Sequence, residues 1–261
     1  MTVDISAGAL TEIVEPLVGD AVLAFDVDGV LAPIVEHADD ARLSPGVGES
    51  LTRLAEHSQV VIVSGRSLAD LERLFGFAAC IEVIGSHGLE RRGHEPLTLT
   101  DAEQFTFEQL ETLGTRAVDA AGEGAWLEYK PASLVVHVRS ADPGLGQAAL
   151  DAVSRLGSMV AGAQVKHGHS VVELLARSTS KGEAIAGLRR PDQPVVFVGD
   201  DVTDESVFEI MGNGDVPVRV GPGDTAARWR LPDPAAVAEF VLALSTERVR
   251  SDLRRSRTGE V

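Results

Sequence analysis

The sequence predicts an α/β fold built on a parallel sheet and split by an inserted α+β unit of roughly 80 residues. Three observations predict it. Strand and helix patterns alternate in the first part of the chain and again beyond Ser180. The apolar runs VLAF (22–25), QVVIV (59–63) and PVVFVG (194–199) are continuous rather than alternating, as expected of strands buried on both faces. Between these parts the order changes to helix, two strands, helix, two strands.

The elements follow in chain order. A strand at 21–26 leads through a loop to a helix over 45–57, with Ser44 as its N-cap and Pro45 at N1. QVVIV is the second strand, and Ser67 caps a helix over 68–75. CIEVIG (80–85) is a third strand, and GHEPLTLTD reads as a loop or short hairpin. Residues 102–121 carry a long helical pattern. AWLEYK (125–130) and SLVVHVRS (133–140) are adjacent strands, a helix spans 143–157, and MVAGAQVKHG and HSVVELLAR form a second strand pair. Then come a helix at 181–190, a strand at 194–199, a helix at 204–211, a strand at 216–221 and a helix at 234–245. The division expected is one domain of 1–100 with 178–261, and a second of 101–177.

Composition bounds the function. The 261 residues carry a formal net charge of −17, which argues against a general nucleic-acid binder. There is no apolar run of the ~18 residues a membrane helix needs, and no basic-then-apolar leader. Cys80 is the single cysteine, so neither an internal disulfide nor a cysteine-rich zinc site is available. A cytoplasmic monomer, with no membrane or nucleic-acid partner, is the expectation. Of 23 basic residues only Lys130, Lys166 and Lys181 are lysines. Where arginine has replaced most lysines, the survivors mark places where a compact ammonium is needed, or are chance survivals.

The chemistry gathers at strand ends. VLAF runs into Asp26, VVIV into Ser64, and VVFVG into Asp200. Ligands of open parallel sheets bind outside the carboxyl ends of the strands. Asp26, Asp28, Ser64 and Asp200 therefore meet in one crevice if the strands are neighbours, with Lys181 joining from a helix start. GDDVTDE (199–205) crowds Asp200, Asp201, Asp204 and Glu205 together, which is repulsive without a cation. Oxygen-only ligands suggest a hard divalent ion, Mg²⁺, held by Asp26, Asp28 and Asp200, with Asp201 and Asp204 as further candidates. Asp204 and Glu205 also fit an acidic helix N-terminus with Asp204 as cap. On this reading Asp26 attacks phosphorus to form an aspartyl-phosphate, and Asp28 is the general acid and base. Ser64 and Lys181 hold phosphoryl oxygens, and Gly29 relieves crowding.

DVDGVL, Ser64-Gly65-Arg66, Lys181-Gly182 and GDDVTDE resemble the four motifs of the haloacid dehalogenase superfamily of phosphatases. GSHGLE (85–90), KPASLVVHVR (130–139) and KHGHSVVEL (166–174) are similar to blocks of its trehalose-6-phosphate phosphatase family. The resemblance runs from about Ala21 to Leu244 and implies a Rossmann-like core with an inserted αββαββ, C2-type cap. It implies Mg²⁺-dependent hydrolysis of trehalose 6-phosphate, a step of trehalose biosynthesis, with cap residues setting specificity. Lys130, Lys166, Gly168 and Glu173 fall in the blocks expected to contact the sugar. His137 is a ligand or a satisfied strand histidine; Lys130 is a contact or a solvated strand end. His87 braces the site or merely shapes a turn. Gly65 and Arg66 belong to the second motif, where Arg66 orients it or pairs with an acidic neighbour. Trp126 and Trp229 are expected to be packing residues rather than sugar-stacking platforms. Val30 departs from the usual threonine after the first motif. The alternatives are a related capped phosphatase acting on sucrose 6-phosphate or mannosyl-3-phosphoglycerate, and a phospho-accepting signalling or sugar-sensing domain.

Overall fold

A computed structural model describes residues 2–258. In chain order the elements are β1 (Val3–Asp4), α1 (Ala7–Val14), β2 (Val22–Phe25), α2 (Val47–Ala55), β3 (Gln59–Val63), α3 (Leu68–Phe75), β4 (Glu82–Gly85) and β5 (Glu90–Arg91). Next come α4 (Asp101–Ala121), β6 (Trp126–Lys130), β7 (Ser133–His137), α5 (Pro143–Gly157), β8 (Gln164–Gly168) and β9 (Val171–Leu175). The chain ends with α6 (Lys181–Leu188), β10 (Val195–Gly199), α7 (Glu205–Phe208), β11 (Val216–Val220), β12 (Trp229–Leu231) and α8 (Pro234–Thr258). They form two compact units, Met1–His94 with Ser180–Val261, and Glu95–Thr179.

The first unit is an eight-stranded sheet in the order β1-β12-β11-β10-β2-β3-β4-β5, parallel except for the antiparallel β4–β5 pair. Its central strands are buried on both faces because successive side chains point opposite ways. Leu23 and Phe25 of β2 pack with Leu51, Leu54, Val237 and Phe240 of α2 and α8. Val22 and Ala24 pack on the other side with Ile185, Val207 and Phe208 of α6 and α7. From β2 the chain builds outward through β3 and β4, whereas β10, β11 and β12 extend the other way. The switch point therefore lies between β2 and β10, where a parallel sheet opens its crevice.

The second unit has the predicted order α4-β6-β7-α5-β8-β9, with an antiparallel sheet β6-β7-β9-β8. Thr100 opens α4 with a capping box to Glu103, and Asp142 caps α5. Leu134, Val136, Val172 and Leu174 form one sheet face and bury against Leu110, Ala117, Leu150 and Val153 of the two helices.

Some local expectations are corrected. Ser44 does not cap α2: the N-cap is Gly46, at φ 80°, because Ser44 and Pro45 are taken up in a preceding turn. The helix expected over 204–211 shrinks to a single turn, and α8 runs past the expected end at 245. The short β1, β5 and β12 and the helix α1 are additions. Trp126 is not a packing residue, being 52% exposed, whereas Trp229 does pack against the core.

Candidate active site

Asp26 follows the last residue of β2 and is only 5% exposed. Both its oxygens are held: the Val27 N–H donates to Oδ1 at 2.6 Å, and Lys181 Nζ donates to Oδ2 at 2.6 Å. Lys181 is the first residue of α6, a start fixed by the capping box of Ser180 with Glu183. At 1% exposure its ammonium bridges Asp26 and Asp204, the latter at 2.8 Å. Burial alone pulls this ammonium's pKa down, but Asp26, Asp204 and Asp201 outweigh it and hold the group charged.

Asp200 and Asp201 follow β10, which is hydrogen-bonded to β2. The Asp204 carboxylate is not a helix cap. It folds back so that Oδ2 accepts the N–H of Asp200 at 2.8 Å and of Asp201 at 3.0 Å. Asp201 Oδ1 accepts from the Thr203 N–H and hydroxyl and the Asp204 N–H. Burial raises the Asp26 carboxyl to about 6 against the pull of Lys181. Burial, then repulsion from Asp204 and Asp201, raises Asp200 to about 7. Burial also raises Asp204 to about 7, with Lys181 opposing. Asp201 moves the other way: burial raises it, but Lys181 and the Thr203 and Asp204 donors win.

Oxygens of Asp26, Asp200, Asp201 and Asp204 lie within 4.8 Å of one another. Such a set, all carboxylate and carrying more negative charge than Lys181 cancels, fits a hard divalent cation. Asp204 is fully buried and its two oxygens already accept three donors, whereas Asp200 and Asp201 are partly open and Asp26 keeps some exposure, so Asp26, Asp200 and Asp201 are the ones placed to hold the ion. Gly29 makes room for this: at φ 72°, a Cβ there would lie 1.9 Å from Asp200 Oδ2. Asp28, expected among the metal ligands, is not brought into the group. The tight turn at Gly29 sends its carboxylate to Arg66, whose Nε and Nη2 donate at 2.6 and 2.7 Å in a bidentate pair.

Ser64, buried at the end of β3, accepts the Arg66 N–H at 3.3 Å. Beside it, Ser86 and His87 both have positive φ, 48° and 56°, a conformation costly for residues with side chains. Their N–H groups donate to the carbonyls of Arg66 at 2.7 Å and Ser64 at 2.9 Å. The His87 ring lies where a Cβ on Gly65 would be, 2.6 Å from Cε1. His87 therefore braces the Ser64–Arg66 segment.

In the second unit, strand register brings Lys130, His137, Lys166, Gly168 and Glu173 onto the sheet face away from α4 and α5. Lys130 is not a solvated strand end: its Nζ lies 3.5 Å from Glu173 Oε1, which also accepts the Ser133 hydroxyl at 2.6 Å. Lys166 opposes Glu173 across β8 and β9. His137 Nε2 lies 2.9 Å from Glu128, and its ring stacks on Trp126. Glu128 and Ser133 were not singled out for this face by the sequence, and Trp126 was read as packing. Their period-two spacing with Lys130 and with Val135 and His137 was the available signal.

Comparison with solved structures agrees on the class. A haloacid dehalogenase-like hydrolase from Bacteroides thetaiotaomicron superposes with a TM-score of 0.60, at 17% identity, over 86% of this chain and 99% of its own. The C-terminal domain of a C. albicans trehalose-6-phosphate phosphatase superposes at 0.75, with 24% identity, over 94% and 98%. The fold is thus the haloacid dehalogenase-like α/β core with an inserted α+β unit.

Sequence comparison narrows this. The family profile described as Trehalose-phosphatase matches residues 24–235. The trehalose-6-phosphate phosphatase of Escherichia coli K12 is 35% identical over 219 residues, 79% of this chain and 80% of that protein. The trehalose-phosphate phosphatase of Mycobacterium tuberculosis H37Rv is 32% identical over 252 residues, 88% of this chain, but the chain spans only 62% of its length. The chain belongs to the trehalose-phosphatase family.

Proposed function

We propose that this chain is a Mg²⁺-dependent phosphatase that hydrolyses trehalose 6-phosphate to trehalose and phosphate through a phosphoryl group carried on Asp26. The observation that carries the reading is the buried Asp26–Lys181–Asp204 array, with Asp200 and Asp201 beside it, at the β2–β10 switch point. Membership of the trehalose-phosphatase family supports the substrate.

Asp26 offers a carboxylate oxygen to phosphorus, and the bond from phosphorus to the sugar oxygen breaks. Lys181 fixes Asp26 in place and supplies positive charge from a buried position, where it is weakly screened. Asp26, Asp200 and Asp201 would hold Mg²⁺, which would supply positive charge against the phosphoryl oxygens. The Ser64 hydroxyl, oriented by the Arg66 N–H, donates to one of those oxygens. Asp28 gives a proton to the departing sugar oxygen and later takes one from the water that attacks the aspartyl-phosphate. Each Asp28 oxygen accepts one Arg66 N–H in this conformation, which fixes the carboxylate while leaving a further lone pair on each oxygen for the proton. On the second unit, Lys130, Lys166 and Glu173 take the sugar hydroxyls. A site built to pair each hydroxyl rejects sugars that leave a group unpaired.

Phosphate release from trehalose 6-phosphate, sucrose 6-phosphate, glucose 6-phosphate and mannosyl-3-phosphoglycerate, with Mg²⁺ and with EDTA, tests this. Preference for trehalose 6-phosphate, lost in EDTA and in Asp26→Asn, is expected. Preference for another ester overturns the substrate, and activity unchanged in EDTA overturns the metal.

A further inference from the structure

The helix-free face of the second unit's sheet carries a side chain that phosphate chemistry does not need. Trp126 is 52% exposed on a face otherwise dominated by charged and polar groups. Its indole lies flat on the His137 imidazole, centroids 4.0 Å apart and planes 4° from parallel. The two are cross-strand partners of β6 and β7. His137 Nε2 lies 2.9 Å from the Glu128 carboxylate, so the lower ring of the stack is itself held. Along β6, Glu128 and Lys130 share the face with Trp126, and Lys130 reaches Glu173 at 3.5 Å. A flat apolar plate thus adjoins a row of carboxylate and ammonium groups.

We propose that Trp126 is a specificity-determining residue: the indole face turned away from His137 carries one pyranose ring of the disaccharide, with His137 and Glu128 as positioning residues. A pyranose presents hydroxyls at its edge and C–H groups on its faces. An aromatic plate flanked by hydrogen-bonding groups matches both. Tryptophan supplies large contact area with few torsions to freeze, and the stack on His137 fixes its plane before the ligand arrives. The proposal rests on the disaccharide-phosphate reading above and adds the residue that selects for a sugar ring.

The test has two parts, both on the full chain. The sequence holds two tryptophans, so Trp229→Phe leaves Trp126 as the only indole reporter. Titrating that variant with trehalose, which carries no phosphate, is expected to give a saturable change in indole fluorescence. In kinetics, Trp126→Ala is expected to lower the ratio of kcat/KM for trehalose 6-phosphate to that for p-nitrophenyl phosphate about tenfold, through KM rather than kcat. Trp126→Phe is expected to recover most of it. An equal loss on both substrates, or no fluorescence response, overturns the proposal. If the wild type turns over p-nitrophenyl phosphate but not trehalose 6-phosphate, the substrate reading fails instead. The trehalose titration then decides the role of Trp126 alone, a response supporting it and silence overturning it.

Discussion

Lowering the pH should release the metal before it unfolds the protein. Asp200 sits at about 7 because burial, Asp204 and Asp201 all oppose its charge, and Asp26 sits at about 6. A cation must displace any proton these groups hold, so its apparent affinity falls as they protonate. With a value of about 7, Asp200 is roughly nine-tenths ionised at about pH 8 and a few per cent ionised at about pH 5.5. That alone is about a 30-fold loss of affinity, and about 100-fold if Asp26 is also required in its charged form. Asp200 is partly open to solvent, and screening brings the expectation nearer tenfold. The assay is calorimetric titration of the apoprotein with Mg²⁺ at the two pH values, repeated with Asp200→Asn. A fall of at least about tenfold in the wild type, largely abolished in the variant, is expected. Affinities within about twofold at the two pH values would refute the assignment of these carboxylates as ligands.

Other perturbations read other parts of the structure. Lys181→Met removes the ammonium between two buried carboxylates and should cost about 3–5 kcal/mol of stability in urea unfolding, together with nearly all activity. A loss under about 1 kcal/mol would show the pair is not what holds α6 to β2. Gly29→Ala places a Cβ against the Asp200 carboxylate at a backbone φ of 72°, and should abolish Mg²⁺ binding while the far-ultraviolet circular dichroism stays unchanged. Arg66→Lys replaces the bidentate hold on Asp28 with a single point charge, and should lower kcat more than it raises KM. In the second unit, the Arg177 hydrogen bond and then Thr100 pull Glu103 down to about 2. Its carboxyl is more acidic folded than unfolded, so its contribution is whole above about 4.5 and is lost as pH falls toward 2. Arg177→Gln should move the acid-unfolding midpoint of the wild type upward, and an unchanged midpoint would contradict the pairing.

The core was legible because its strands announce themselves. VLAF, VVIV and VVFVG are too apolar to face water, and each runs directly into a polar residue that a parallel sheet must place at its carboxyl edge. That edge brings Asp26 and Asp200 together and the crowding of GDDVTDE adds Asp201 and Asp204, but Asp28, expected with them, lies outside the group. The direction of a side chain was not legible. Asp28 shares a motif with Asp26, but the turn at Gly29 hands it to an arginine 38 residues away. Asp204 looked like a helix cap because its position fits one, yet a buried ammonium competes for it more strongly than the helix end does. β1 and β12 pair over more than 200 residues, as Val3 opposite Trp229, and are too short to show a period. In the inserted unit the blocks of residues were visible, but their common face was not. It depends on register, since a one-residue slip would send Lys130, His137 and Glu173 into the helices. Glu128 became visible only with that register, which also moves Trp126, read as packing, onto the open face.

The proposed chemistry stands or falls with Asp26 carrying the phosphoryl group. A rapid acid quench of the enzyme during turnover of trehalose 6-phosphate with Mg²⁺, followed by mass spectrometry of the proteolytic fragments, tests it directly. One phosphoryl group is expected on the fragment containing Asp26, and none in Asp26→Asn. An enzyme that releases phosphate at full rate while this fragment stays unmodified, or an Asp26→Asn variant that still turns over, would contradict it.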